Sequence, residues 1–308
     1  MQVWRALDEV KDVERSVVTV GVFDGVHRGH RHVIDGVVLH AAEIGAMSVV
    51  VTFDPHPMAV VAPDRRPPAL ATLDHRIRLL ADEHVDAVLV LPFTTARAQQ
   101  VAEEFVREVL VDALHAKAVH VGENFRFGHR AAGDVTSLRE LGTSYGFEVV
   151  PVPLVAGGET TWSSTYVRDR LAEGEVGAAE KALGRLHRVE GTVVHGDHRG
   201  RELGYPTANL GPDDVSAVPA DGVYAGWLTR ESGDRLPAAI SIGTNPTFDG
   251  KGRRVEAYVL DRDDLELYGE HVALDFAERL RETVKFDGVE PLKVQMAEDC
   301  RRAREILT

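Results

Sequence analysis

Residues 16 to 155 repeat one pattern, and that pattern leaves few folds open. Short Val-rich apolar runs at 16–23 (SVVTVGVF), 47–53, 86–93, 116–122 and 147–155 alternate with stretches of helical period at 30–45, 74–84, 98–114 and 134–146. Continuous apolar runs of β-branched residues suit strands buried on both faces, as in a parallel sheet covered by helices. Strand and helix in alternation therefore predict a doubly wound parallel sheet, whose ligands bind outside the carboxyl ends of its strands.

From His187 the texture changes. Strand-like pieces at 187–196, 222–229, 236–243, 253–261 and 271–276 are punctuated by Gly, Pro and Asp, which predicts a small antiparallel barrel. The last segment, 290–307, carries Leu292, Met296, Ala303 and Leu307 at helical spacing and predicts a helix packed on that barrel. A chain of 308 residues exceeds the usual size of one core. The expected boundary lies in AEKALGRLHRVEG, giving domains 1–185 and 186–308.

Charge narrows the partners. The net charge is −14, and dividing the chain after Arg185 leaves −7 on each side, so neither half is a basic arm. Nonspecific binding to nucleic acid or an anionic membrane, which needs clustered Lys and Arg, is not expected. No apolar run approaches the ~20 residues that span a bilayer, and MQVWRALDEV lacks the character of a signal peptide, so a cytoplasmic protein is expected. A homo-oligomer stays open. The one cysteine, Cys300, allows neither a disulfide framework nor a Cys-based zinc site and is read as packing. Any phosphate ligand must then be held locally, by helix N-termini, a few Arg, glycine-lined amides and bound magnesium.

One such place is GVFDGVHRGH, residues 21–30. The strand is expected to end near Phe23 and the helix to begin near His30, which sets His27 and His30 beside the first exposed amides of that helix. The helix terminus attracts anions, the imidazoles add donors, and Gly25 and Gly29 admit close approach of the backbone. Two other readings stay open at this point: a histidine pair for zinc, without an obvious third ligand, and plain solvated turn residues. Asp24 beside a phosphate requires an intervening cation or a hydrogen bond to the turn. Neither GxGxxG nor GxxxxGK[ST] occurs, which argues against a Walker-type fold.

Further along, Ser163, Ser164 and Thr165 precede Arg168 at the start of a helical stretch, where hydroxyls cap and an Arg one turn on reaches a phosphate; an ordinary cap with a surface Arg is the alternative. Asn124 follows a strand end, and its amide suits ribose or phosphate. Phe125 and Phe127 offer either a ring face or core packing. In the second half, Gly196, Gly200 and Gly204 punctuate a loop suited to phosphate. Thr207 and Asn209 then share one face of an extended chain, as hard oxygen donors that fit magnesium.

GVFDGVHRGH, TFDPHP (52–57), VGENFRFGHRAAGD (121–134) and SSTYVRDRL (163–171), in that order, closely resemble the amino-terminal half of bacterial bifunctional riboflavin kinase/FAD synthetases, with His27, Arg28, Gly29 and His30 matching the HxGH signature. GRELGYPTANL, SIGTNPTF, RVEAYVLD, DLELYG and LRETVKFDGVEPL resemble the carboxyl-terminal riboflavin kinase module. The resemblance implies a Rossmann-like nucleotidyltransferase domain (1–185), then a six-stranded antiparallel β-barrel kinase domain (186–308) with a C-terminal helix. It implies that riboflavin is phosphorylated to FMN and that FMN is adenylylated to FAD, both with ATP as co-substrate and Mg2+.

In the residues matched, the resemblance implies that His27 and His30 stabilise the transition state of adenylyl transfer, and that Gly21, Phe23, Asp24, Gly29, Ser163, Ser164, Thr165, Arg168, Gly200 and Gly204 bind nucleotide or phosphate. Asn124, Phe125 and Phe127 would meet flavin in the first domain, and Arg281 and Phe286, in the loop before the last helix, in the second. Thr207 and Asn209 would hold the metal, and Glu256 would accept the proton of the ribityl hydroxyl. Trp162 and Tyr166 depart from the family pattern, where a smaller aliphatic residue and an Arg or Thr are common. His56, between two prolines, is a secondary candidate for touching substrate, and Asn245 is either a shaper of the kinase pocket or a turn residue before Pro246. The rivals are a kinase whose first domain is degenerate or transfers nucleotide to another phosphate, and a flavin-binding or regulatory module without turnover.

Overall fold

The computed structural model of the chain describes residues 1–157, 160–195, 204–212, 216–244, 253–262 and 264–308. By contacts the chain divides into two compact units, Met1–Pro67 with Leu73–Ser163, and Pro68–Thr72 with Ser164–Thr308.

The first unit is a six-stranded sheet of β1 (Gln2–Trp4), β2 (Ser16–Val20), β3 (Met47–Asp54), β4 (Ala87–Pro92), β5 (Ala116–Gly122) and β6 (Glu148–Val152). Its order is β1-β4-β3-β2-β5-β6, and every neighbouring pair is parallel. The chain fills one side of β2 with β3 and β4, then returns to the other side for β5 and β6. That reversal makes the carboxyl end of β2 the topological switch point, where open α/β sheets place their ligands.

Period-two alternation feeds both faces of this sheet. Val50, Val88 and Val90 pack with Ile34 of α1 (Arg28–Ile44) and Leu80 of α3 (Leu73–Asp82), which comes after the short α2 (Pro57–Val61). Val49, Val51, Leu89 and Leu91 pack on the opposite side with Phe105, Val109, Leu110 and Leu138. Each such side chain, fully buried, contributes roughly 1.5–3 kcal/mol. The edge strand β1 was not legible in the sequence.

The stretch expected as one helix over 98–114 is instead α4 (Thr95–Gln99), α5 (Ala102–Phe105) and a π-helical run, Val106–Ala113. The break occurs where the Gln100 carbonyl accepts from the His129 amide at 2.8 Å rather than from a helical neighbour. α6 (Val135–Tyr145) is capped by Asp134 and Ser137, each side chain accepting from the other's backbone amide. A two-residue-strand hairpin, β7 (Ala156–Gly157) and β8 (Thr160–Thr161), comes after β6.

The second unit begins with α7 (Ser164–Ala172) and α8 (Val176–Leu183), parted at Gly174, whose φ of 78° ends the first helix. The barrel consists of β9 (His187–Val194), β10 (Ala208–Pro212), β11 (Gly222–Thr229), β12 (Arg235–Thr244), β13 (Arg253–Val259) and β14 (His271–Arg281). It closes in the order β10-β13-β12-β11-β14-β9, antiparallel throughout. β14 runs on to Arg281, past its expected end at 276.

Helix α9 (Val289–Leu307) lays Cys300 and Ala303 on Val223, Ala225 and Leu280. Cys300 is thus packed away, and burial pushes its thiol up to about 11. Among the described residues no helix is long and apolar enough to cross a membrane.

Candidate active sites

The turn that leaves β2 is bent by three residues with positive φ: Phe23 at 52°, Gly25 at 78° and Val26 at 36°. It delivers His27 to the N-cap of α1, which starts at Arg28 and not near His30 as expected. His27 Nδ1 accepts the amides of Gly29 (3.1 Å) and His30 (3.3 Å). Those two amides, expected to face an anion, are therefore taken up by the cap. The same bonds assign the tautomer, because an Nδ1 that accepts leaves the proton on Nε2.

His30 stacks on His27 with ring centroids 3.6 Å apart, and the edge of Phe23 meets it at 5.1 Å. Phe23 and Asp24 are both buried, at 4% exposure. The nearly enclosed Phe23 ring thus packs against His30 and backs the histidine pair. Gly21 donates its amide to the Val51 carbonyl at 3.0 Å. A Cβ on Gly29 would lie 3.0 Å from His27 Cε1, so glycine is what lets the ring cap the helix this tightly. Arg28 sets its guanidinium 5.4 Å over the ring of Trp162, the residue that departs from the family pattern.

Arg76 was missed in the sequence. Its side chain is 6% exposed, and its Nη1 and Nη2 donate to the carbonyls of Val22 (2.8 Å) and Phe53 (3.1 Å). Burial lowers its pKa, against the raising influence of Asp24 and Asp54. The available signal was its position: Arg76 stands four residues before Leu80, on the stripe of α3 that packs into the core.

At the end of β5, Asn124 is exposed in a turn closed by the Phe125 amide on the Gly122 carbonyl. Phe125 and Phe127 stack at 5.3 Å, but Phe127 also meets Phe105 and is part of the core. Packing thus claims the ring of Phe127, while Phe125 remains half-buried above it. His56 caps α2, accepting the Met58 amide at 3.1 Å.

Ser163 ends the first unit, and Ser164, Thr165 and Arg168 lie on α7 in the second. Arg168 Nε donates to the Pro68 carbonyl at 2.6 Å, so part of its fork is engaged within its own unit.

On the barrel, register does what sequence distance hides. Asn209 of β10 lies directly opposite Glu256 of β13, and Ser241 of β12 faces Glu256 from the other side. Val255, Ala257 and Val259 are buried, so Glu256 falls on the alternate, half-buried face of its strand. Thr207, just before β10, points its hydroxyl at Glu256 Oε2 from 3.4 Å, and Asn209 Nδ2 approaches the Thr207 carbonyl at 3.5 Å. Gly204 has a φ of 87°, a left-handed conformation that suits glycine. Gly196, Gly200 and Asn245 lie outside the described residues.

Arg281 proves to be the last residue of β14 and not a loop residue. Its guanidinium grips Asp299 of α9 (Nη2 to Oδ2, 2.7 Å; Nε to Oδ1, 2.9 Å) and donates to the Glu282 carbonyl. Phe286 lies 5.8 Å from that guanidinium. The expected ligand-closing arginine is therefore committed to an ion pair in this structure.

Two family models match the chain in tandem: FAD synthetase over residues 9–166 and riboflavin kinase over residues 183–307. The chain belongs to the bifunctional riboflavin kinase/FMN adenylyltransferase family. A member from Escherichia coli K12 is 37% identical over 95% of this chain and 93% of its own length. One from Pseudomonas fluorescens is 36% identical over 99% of this chain and 98% of its own. The fold is also that of a crystal structure described as a macrolide-efflux protein from Streptococcus pneumoniae, with a TM-score of 0.88, 32% identity and 98% coverage of both chains. The two modules stand in the order that the family motifs implied, adenylyltransferase first and kinase second.

Proposed function

We infer that this chain phosphorylates riboflavin to FMN in residues 186–308 and adenylylates FMN to FAD in residues 1–185, with ATP as co-substrate of both steps. The observation that carries the kinase half is the convergence of Thr207, Asn209 and Glu256 on one edge of the barrel, drawn from two strands 47 residues apart in sequence. There Glu256 accepts the proton of the terminal ribityl hydroxyl as its oxygen attacks the γ-phosphorus and ADP leaves. Thr207 and Asn209 offer hard oxygen donors that fit Mg2+, which when bound would neutralise the phosphate charge. Gly200 and Gly204 line the phosphate, and Arg281 and Phe286 border the flavin.

In the first half, a phosphate oxygen of FMN attacks the α-phosphorus of ATP and pyrophosphate leaves, with no covalent enzyme intermediate. The stacked His27 and His30 sit at the carboxyl end of β2, where the topology favours a ligand. The Nε2–H of His27, fixed by the cap, donates to phosphoryl oxygens as charge builds on them. Gly21, Asp24 and Gly29 bind nucleotide on this turn, with Phe23 beneath His30, and the family motif assigns Ser163, Ser164, Thr165 and Arg168 to phosphate binding as well. Asn124 and Phe125 receive the flavin, backed by Phe127. A cytoplasmic location, where ATP is supplied, fits these reactions.

The test is one assay with riboflavin and ATP that resolves FMN from FAD. His27→Ala with His30→Ala is expected to stop at FMN. Glu256→Ala is expected to make little FMN, yet still convert supplied FMN to FAD. Unchanged FAD output from the double histidine variant sinks the first assignment, and appreciable riboflavin phosphorylation by the Glu256 variant sinks the second.

A further inference from the structure

Arginine is seldom buried, and when it is, its charge normally meets a carboxylate. The Arg76 guanidinium feels the charges of Asp24 and Asp54, yet it spends both Nη groups on main-chain carbonyls, those of Val22 and Phe53. These carbonyls belong to adjacent strand exits. Val22 lies just past β2 and leads into the turn that carries His27 and His30, and Phe53 lies at the end of β3. The Val22 carbonyl accepts a second hydrogen bond, from Thr52 Oγ1 at 2.9 Å.

The turn beyond Val22 needs holding. Phe23 and Val26 adopt positive φ without being glycine, and Val26 is β-branched, a conformation that persists only where its surroundings over-determine it. Within the turn the Val26 amide returns to the Phe23 carbonyl at 3.1 Å, and just beyond it His27 caps α1. The entry to the turn is fixed by Arg76 and Thr52, and its exit by the His27 cap. A shift at the entry would be passed directly to the imidazoles.

We propose that Arg76 is a positioning residue for adenylyl transfer, clamping the exits of β2 and β3 through the Val22 and Phe53 carbonyls so that His27 and His30 meet the reacting phosphates. The proposal rests on the adenylyltransferase reading of the first unit. Arg76 touches no substrate in this role; it sets the angle at which the histidine turn leaves the sheet. A small misplacement of catalytic groups costs on the order of a hundredfold in rate. The loss therefore falls on kcat, while substrate binding is little changed.

The experiment uses the full chain and measures kcat and KM for FAD formation from supplied FMN and ATP, with riboflavin phosphorylation in the same preparation as a control. Arg76→Met is expected to lower kcat of adenylyl transfer about a hundredfold, to leave both KM values within about threefold, and to leave FMN formation unchanged. Arg76→Lys, whose ammonium retains donors for the two carbonyls, is expected to restore at least about tenfold of that loss. A kcat for Arg76→Met within about threefold of the parent overturns the proposal, as does a rise in KM for ATP with kcat unchanged. If Arg76→Met abolishes folding of the first unit, Arg76→Lys decides: a folded variant that keeps KM and retains a tenth or more of the parental kcat supports the clamp, whereas raised KM at parental kcat overturns it. A parent chain that makes FMN but never FAD fails the functional reading itself, a result distinct from any of these.

Discussion

Nδ1 of His40 lies 2.9 Å from Nε2 of His120, joining the last third of α1 to β5 by one proton between two imidazoles. His120 is buried, and desolvation together with the neighbouring His40 lowers its pKa from 6.5 to about 4. Between those values the unfolded chain binds a proton that the folded chain does not, so stability falls as pH drops from about 6.5 to about 4 and changes no further below that. The full loss is on the order of 3 kcal/mol. Because carboxylates titrate nearby, the measurement is a difference: denaturation midpoints of the parent and His120→Gln across pH 4–7. The parent should lose stability more steeply on acidification, and parallel curves would refute the assignment.

The ion pair between Arg281 and Asp299 ties the last barrel strand to α9, with the Asp299 side chain 5% exposed and a further bond from Gln295 Nε2 at 2.9 Å. Removing Asp299 leaves the half-buried Arg281 guanidinium without its carboxylate, at a cost of about 1–3 kcal/mol. Asp299→Asn should therefore lower the denaturation midpoint sharply. The apolar pair Arg281→Met with Asp299→Leu should recover most of that loss. A parental midpoint for Asp299→Asn would mean that α9 is held by its Cys300 and Ala303 contacts alone.

Legibility in the sequence tracked local physics. Val17 to Val20, Val49 to Val51 and Val88 to Val90 announced β2, β3 and β4 because β-branched runs buried on both faces have few other uses. β1 escaped because three residues, Gln2 to Trp4, carry no period; it exists only through its pairing with Ala87 to Leu89. At the sites, residues inside a contiguous motif, such as His27 and Gly29, could be named from sequence. Their hydrogen bonds could not, because which amide a ring caps depends on where the helix starts. Arg76 and Val22 are 54 residues apart and Asn209 and Glu256 are 47 apart. Only the parallel crossover and the barrel register bring such pairs together.

Gly226 sits mid-strand in β11, beside a register shift against β14. A Cβ there would fall 2.3 Å from the Asp275 carbonyl oxygen and 2.6 Å from Ile240 Cδ1, one a backbone atom of a closed barrel and the other a buried side chain. Neither can yield without opening a strand pair. Gly226→Ala should cost about 3 kcal/mol or more. Chemical denaturation monitored by tryptophan fluorescence, which includes Trp227, reads this directly, and a midpoint within error of the parent would show that the barrel can breathe at that seam.

Nδ1 of His27 caps α1, which leaves its proton on Nε2, the atom that the proposed function aims at a phosphoryl oxygen. The two roles separate by substitution. Asparagine is among the best N-caps, while alanine forfeits about 1 kcal/mol at that position. His27→Asn should therefore keep the parental melting temperature and lose FAD formation, whereas His27→Ala should lose both. Thermal melts and FAD formation from supplied FMN, run on the two variants side by side, check the split. Substantial FAD formation by His27→Asn would make the histidine a structural cap whose second nitrogen has no part in the chemistry.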